Sequence, residues 1–157
     1  MNKKGQGLVE ALIALGAAVV IISAITVAVI TAVNNSDYSR SQNLATGYAQ
    51  QGMEIIKQDS QLDWVSLQAS ISASTVWCLP QGSTTFSSAA GGLSPCGINV
   101  TGGFVRQLNF TQNASSCNGQ TQVEVVVEWT DGKCSSALDY CHKVVLDSCI
   151  ADIYRNK

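Results

Sequence analysis

Apolar residues are concentrated near the N-terminus of the chain. From Leu8 to Val33 a single charged side chain, Glu10, interrupts a continuous run of apolar and small residues. A bilayer core of about 30 Å needs about 20 apolar helical residues, so this run is long enough to cross a membrane. The apolar core of a cleaved secretory signal is shorter, about 7–15 residues. The pattern therefore predicts a retained membrane-spanning helix.

Basic residues lie close to only one end of this apolar run. Lys3 and Lys4 precede it, and the next basic residue is Arg40. The positive-inside rule then places the N-terminus in the cytoplasm and everything after about Val33 across the membrane. All six cysteines follow Val33, on the side where thiols can oxidise. We expect a single-pass membrane protein with an extracytoplasmic C-terminal domain.

Helical periodicity continues after the apolar run. No proline occurs before Pro80, and the polar residues are confined to one side of the periodic pattern. Apolar or small residues recur at steps of one, three and four, at Leu44, Ala45, Tyr48, Gly52, Ile55 and Ile56. The spacing predicts that residues 34–58 form an amphipathic second half of the helix. Gly47 and Gly52 each cost about 1 kcal/mol of helix propensity and indicate a close approach or a bend.

Alternation of apolar and polar residues predicts β-strands later in the chain. The clearest strand is Gln122–Trp129, in which Val126 is the one misfit. Phe104–Phe110 and Lys143–Ile150 alternate in the same way, although Arg106 falls on the apolar face of the first. Such strands form an antiparallel meander whose apolar face needs a cover, and the amphipathic half-helix supplies it.

The segments between these elements carry weaker signals. Asp59-Ser60 is a candidate N-cap for one or two helical turns containing Trp64, which we expect in the core. Thr75–Leu79 is a candidate short strand, and Pro80–Gly103 is a Ser/Gly-rich segment expected to be an exposed loop. The predicted fold class is α+β, with a long N-terminal helix packed on a small, disulfide-bonded antiparallel β-sheet domain over residues 59–157.

The six cysteines allow many pairings, which hairpin geometry narrows. If Gln122–Trp129 and Lys143–Ile150 form a hairpin, two cysteines lie at its tip and two meet near its base, while the remaining two close the Ser/Gly-rich loop. The favoured pairs are Cys78–Cys96, Cys117–Cys149 and Cys134–Cys141. No cysteines have CxxC spacing, and only His142 could add an imidazole ligand. Disulfides are therefore favoured over zinc, and we expect neither a metal nor another cofactor.

Composition and charge argue against two classes of function. The 157 residues carry nine basic and eleven acidic side chains, a formal net charge of −2. Nucleic acid is therefore not an expected partner, because its binders cluster many basic residues on one face. The basic residues that could bind a polyanion are few and dispersed. They are Arg106, Lys133, Lys143, Arg155 and Lys157. With a single histidine and no glycine-rich phosphate loop, nothing in the sequence indicates an enzyme.

A short motif precedes the apolar helix. Lys3-Lys4-Gly5 is a basic leader ending in glycine, and Gln6-Gly7-Leu8-Val9-Glu10 follows it. This arrangement resembles the N-terminus of type IV prepilins and pseudopilins. The resemblance implies that a prepilin peptidase cleaves between Gly5 and Gln6 and that Gln6 becomes the N-methylated first residue. Leu8 and Glu10 match the third and fifth mature positions of the family, whereas most members carry phenylalanine where this chain has Gln6.

The resemblance also implies a role in assembly. In the family the counterpart of Glu10 neutralises the terminal amine of a neighbouring subunit. We therefore expect residues 1–5 to be a leader and residues 6–33 to be a transmembrane and polymerisation helix. The implied function is a minor pilin or pseudopilin of a type IV pilus or type II secretion-like filament, with other pilin subunits and an assembly platform as partners. The alternative is a single-pass, membrane-anchored extracytoplasmic binding domain that never polymerises and keeps Lys3 and Lys4.

Overall fold

The computed structural model describes residues 3–71, 76–88, 96–132, 134–135 and 140–152, without the side chains of residues 3–6. The chain divides into two compact units, Met1–Ser41 and Gln42–Lys157. The elements in chain order are α1 (Lys3–Leu62), α2 (Trp64–Ile71), β1 (Val76–Cys78), β2 (Ser87–Ser88), β3 (Val105–Ala114), a 3-10 turn (Ser115–Cys117), β4 (Gln120–Trp129) and β5 (His142–Ile150).

The first unit contains the apolar part of α1 and the polar residues that follow it as far as Ser41. Every large apolar side chain from Leu8 to Val33 is more than half exposed. The helix is long and apolar enough to cross a membrane by length and composition. The three hydroxyl groups between Leu8 and Val33 are satisfied internally, because Ser23, Thr26 and Thr31 each donate to the carbonyl oxygen four residues earlier at 2.8–2.9 Å. A helix in lipid needs this arrangement, since no water is present there to bond polar groups.

The second unit contains a five-stranded sheet in the order β2-β1-β3-β4-β5, and every neighbouring pair is antiparallel. β4 pairs with both β3 and β5, as the predicted meander requires. Val126, the misfit of the β4 pattern, is buried on the face opposite the main core. It lies in register between Gln107 and Val145, so the neighbouring strands shield it.

The part of α1 after Gln42 covers the apolar face of this sheet. The residues it buries recur at helical spacing: Ala45, Ala49, Gly52, Met53 and Ile56. They pack on Leu108, Val123, Val125 and Val127 from the sheet. The buried face of α1 differs in part from the predicted one. Leu44 is 42 % exposed, and Tyr48 and Ile55 are only half-buried. The small residues Ala45, Ala49 and Gly52 are buried in the contact together with Met53 and Ile56.

Gly52 marks the closest approach between α1 and the sheet. A Cβ atom at this position would lie 3.0 Å from Val125 Cγ1 and 3.1 Å from Arg106 Cδ. At Gly47 a Cβ atom would meet nothing within 4 Å. Of the two glycines singled out by sequence, only Gly52 is required by a close approach.

Arg106 is fully buried and donates hydrogen bonds to neutral oxygens on two sides. Its Nε donates to Leu79 O at 2.9 Å and its Nη2 to Pro80 O at 3.0 Å. Its Nη1 donates to Tyr48 O at 3.0 Å and to Gln51 Oε1 at 3.1 Å, both on α1. Burial lowers the pKa of the guanidinium, although an arginine side chain remains protonated. Arg106 therefore bonds α1 to the segment after β1 and is not available to bind a polyanion.

The predicted cap of α2 was wrong. Asp59 and Ser60 lie inside α1, which continues to Leu62. The residue that caps α2 is Asp63, whose Oδ1 accepts a hydrogen bond from Ser66 N at 3.0 Å. The sequence did not identify the cap uniquely, because Asp59, Ser60 and Asp63 all have side chains that can cap the N-terminus of a helix.

The predicted exposed loop over Pro80–Gly103 was also partly wrong. Its described part contains β2, which pairs with β1, and the buried residue Val100. Asn99 fixes the loop to β3, since its Oδ1 accepts from Arg106 N at 2.7 Å and its Nδ2 donates to Arg106 O at 2.8 Å. Polar composition predicted exposure here, but the side-chain amide bonds the strand backbone instead.

Three disulfides join the six cysteines in the pairs that the sequence favoured. Their Cα atoms lie 5.3–5.5 Å apart, which is ordinary disulfide geometry. One joins β1 to the segment after β2, one joins the 3-10 turn to β5, and one closes the β4–β5 connection. In that order they are Cys78–Cys96, Cys117–Cys149 and Cys134–Cys141.

Candidate assembly segment

Glu10 is an isolated carboxylate on an apolar surface. It lies in α1 between exposed neighbours, with Val9 56 % and Ile13 68 % exposed. Within the described part of the chain it has no hydrogen-bond or ion-pair partner. A charge at mid-bilayer costs about 2.5–3.5 kcal/mol on insertion scales, and less close to an interface. Among the described side chains of this segment, none satisfies the Glu10 carboxylate.

The other predicted residues of this segment also lie on α1. Leu8 is 65 % exposed. Gly5 and Gln6 belong to the helical backbone, and their surroundings lie outside the described side chains. Helical geometry puts Gln6 one turn before Glu10, about 6 Å along the axis and on the same face. A terminal amine created at Gln6 would thus lie at nearly the same depth in a membrane as the Glu10 carboxylate.

A second cluster of chemically interesting side chains lies at the β4–β5 connection. The potential ligand atoms of Asp131, Cys134, Cys141 and His142 all lie within 4.8 Å of one another. His142 Nε2 is 3.0 Å from Asp131 Oδ2, and the two sulfur atoms are bonded to each other. Disulfide sulfurs are not thiolates, so this cluster lacks the donors that a zinc site needs.

Sequence reasoning missed Asp131 as a member of this cluster. The register of the hairpin contains the signal, because Trp129 pairs with His142 and Asp131 follows two residues later. Once the β4–β5 hairpin is accepted, residue 131 must approach residue 142. Arg106 was missed as a structural group for a different reason: its acceptors Tyr48 and Pro80 are distant in sequence, and no local pattern identifies them.

The basic residues considered for polyanion binding do not form a group in the described part of the chain. Arg106 is buried, and Lys143 is exposed on β5. The other three, Lys133, Arg155 and Lys157, lie outside the described residues.

No family model matches the chain, and neither the comparison with curated proteins nor that with solved structures finds a match. The functional interpretation therefore depends on the residues of the N-terminal segment and on the physical character of α1.

Proposed function

We propose that this chain is a structural subunit, a minor pilin or pseudopilin, of a type IV pilus or type II secretion-like filament. It assembles through α1 after a prepilin peptidase cleaves between Gly5 and Gln6. The observation that carries the proposal is the coincidence of three features. Glu10, which has no partner among the described residues, lies in an exposed apolar helix, and a glycine that ends a basic leader lies five residues before it.

Cleavage supplies the positive charge that Glu10 lacks. It removes Lys3 and Lys4 and leaves a cationic amine, N-methylated or not, on Gln6. Opposite charges attract strongly in a medium of low dielectric constant, and each is costly there alone. The Gln6 amine of a neighbouring copy pairs with Glu10 and fixes the axial register of the two helices. Loss of the two lysines also eases extraction of the helix from the membrane.

The apolar surface of α1 needs cover both before and after assembly. Before assembly lipid covers it, with the N-terminus cytoplasmic and the C-terminal domain extracytoplasmic. After assembly the same surface packs on other subunits and the assembly platform, in a cell-surface or periplasmic filament. Three disulfides suit a domain of this size exposed outside the cytoplasm.

Replacement of the carboxylate tests this function. Glu10→Ala should still insert into the membrane but should fall at least about tenfold in sheared filaments, since a buried, unpaired amine costs more than about 1.4 kcal/mol. The matched control is Glu54→Ala, which removes an exposed carboxylate from the packed part of α1 and should assemble normally. Normal incorporation of the Glu10 variant would contradict the assembly role.

Replacement of the glycine tests processing separately. Gly5→Ala should accumulate as an uncut precursor that retains Lys3 and Lys4, measured as intact mass in the membrane fraction. Gly7→Ala is a control, because a Cβ atom there meets nothing within 4 Å and the cleavage site is unchanged. If Gly5→Ala gave the same mature N-terminus as the unaltered chain, the proposed cleavage site would be wrong. A non-polymerising anchored domain would not be cleaved, so neither Gly5→Ala nor Gly7→Ala would change its N-terminus.

A further inference from the structure

A cavity of about 470 Å³ opens where α1 ends and α2 begins. Asp59 and Asp63 line one part of it, and the aromatic residues Trp77 and Phe86 line another. Volumes of about 300–1,000 Å³ are typical of small-molecule sites. The cavity lies wholly within the second unit and is separate from the assembly segment.

The electrostatic character of the cavity is negative. Neither Asp59 nor Asp63 forms an ion pair with a basic side chain in the described part of the chain. The last turn of α1 contains no basic residue, although the carboxyl end of a helix carries a partial negative charge. Asp59 belongs to that turn, where a carboxylate is unfavourable, and burial raises its pKa. A cation bound beside Asp59 would offset the unfavourable position of this carboxylate.

The two carboxylates are not equivalent. The negative charge of Asp63 is stabilised by a hydrogen bond, because its Oδ1 accepts from Ser66 N at the start of α2. Asp59 has no comparable hydrogen-bond donor among the described residues. A cation in the cavity would therefore interact most strongly with Asp59.

The remaining walls favour an organic cation over a simple metal ion. The rings of Trp77 and Phe86 have centroids 5.3 Å apart and lie edge to face at 84°. Leu62 and Leu67 add apolar surface to the lining. Aromatic rings attract ammonium groups and also bury the apolar body of a ligand. A bare divalent ion would instead require several oxygen ligands around one point.

We infer that this cavity binds an organic cation, a protonated amine attached to an aromatic or branched aliphatic body, with Asp59 as the principal counterion and Trp77 and Phe86 as the wall. The inference does not depend on filament assembly. The same chemistry could come from a free amine or from a lysine side chain of another protein, and separate probes distinguish these sources.

The test is an NMR titration of the ¹⁵N-labelled full chain in nonionic detergent micelles, followed at the Trp77 indole N–H. Phenethylammonium should shift this resonance saturably. 2-Phenylethanol, in which a hydroxyl replaces the ammonium, should bind at least about tenfold more weakly, because it lacks the charge. Nα-acetyl-lysine amide is the third probe. Tighter binding of this probe than of phenethylammonium would identify a protein side chain as the source of the cation.

Charge-removing variants locate the site. Asp59→Asn should weaken phenethylammonium binding at least about tenfold, whereas Asp63→Asn, which keeps a capping oxygen, should weaken it less. Asp147→Asn, on the exposed face of β5, should leave the affinity within about twofold. Thermal unfolding checks that each variant is folded. Equal affinity for the neutral alcohol, unchanged affinity in a folded Asp59→Asn chain, or no response to either ammonium probe would overturn the inference.

Discussion

Helix α1 has two kinds of surface along its length. Between Leu8 and Val33 its large apolar side chains point in every direction and are exposed. After Gln42 its buried residues form one stripe, and polar residues occupy most of the other faces. A helix that is apolar all round needs lipid or other helices, whereas a striped helix is satisfied by one protein surface. The contrast separates a part whose surface suits lipid or other helices from a part that completes a folded domain.

The largest expected effect is on the packed part, at Arg106. Arg106→Met keeps most of the side-chain volume but breaks four hydrogen bonds, including the one accepted by the carbonyl oxygen of the fully buried Leu79. We expect a loss of about 4 kcal/mol of unfolding free energy, since hydrogen bonds from a charged donor contribute about 1.5–3 kcal/mol each when buried, and those to the exposed Gln51 and Pro80 contribute less. Thermal unfolding in detergent, followed by near-ultraviolet circular dichroism, measures it. The exposed Arg40→Met is the matched control and should change stability by less than about 0.5 kcal/mol. If Arg106→Met and Arg40→Met changed the stability equally, the contrast between the packed and the exposed part of the molecule would be wrong.

The disulfides come next in size. Removal of Cys117–Cys149, which spans 32 residues, should cost about 3.5 kcal/mol, compared with about 2.5 kcal/mol for Cys134–Cys141, which spans 7. The reason is that the longer link restricts the unfolded chain more. Paired Cys→Ser variants, compared by thermal unfolding, measure this difference. The reverse order would mean that the links act mainly on the folded state.

The two glycines of α1 should respond in opposite directions. Gly52→Ala introduces contacts of 3.0–3.1 Å with Val125 and Arg106, and we expect a net loss of about 1–2 kcal/mol. Gly47→Ala meets open space and should gain up to about 1 kcal/mol from helix propensity. Denaturant unfolding of both variants compares the signs. Stabilisation by both would show that α1 does not approach the sheet so closely.

The smallest expected effect is the pH response of Glu128. Burial raises its pKa, and the nearby Lys143 partly opposes this. The folded state therefore favours the protonated form of Glu128. The stability that Glu128 contributes is fully present below the usual pKa of a glutamate and is lost as the pH rises through the raised pKa of the folded state. Glu128→Gln should stabilise the protein at pH 7, by less than about 0.5 kcal/mol because solvent screens the charge, and should have little effect near pH 3. Lys143→Met should enlarge the pH dependence. Unfolding measured across pH 3–8 would contradict this account if Glu128→Gln were destabilising at pH 7.

The sequence predicted the elements better than their contacts. The strands were identifiable because β4 and β5 alternate with a period of two, and the hairpin they form constrains which cysteines can meet. The exact buried stripe of α1 was not predictable, because Ala49 and Met53 are buried through the shape of the facing sheet. The motif Gly5–Glu10 has a local signal that the sequence alone displays, and its role in assembly stays a prediction.

The most direct test of the central proposal is the intact mass of the chain in sheared filaments. We predict a polypeptide that begins at Gln6, lacks residues 1–5 and carries at most the added mass of N-methylation. Recovery of the chain only from membranes, with Lys3 and Lys4 still attached, would contradict the account.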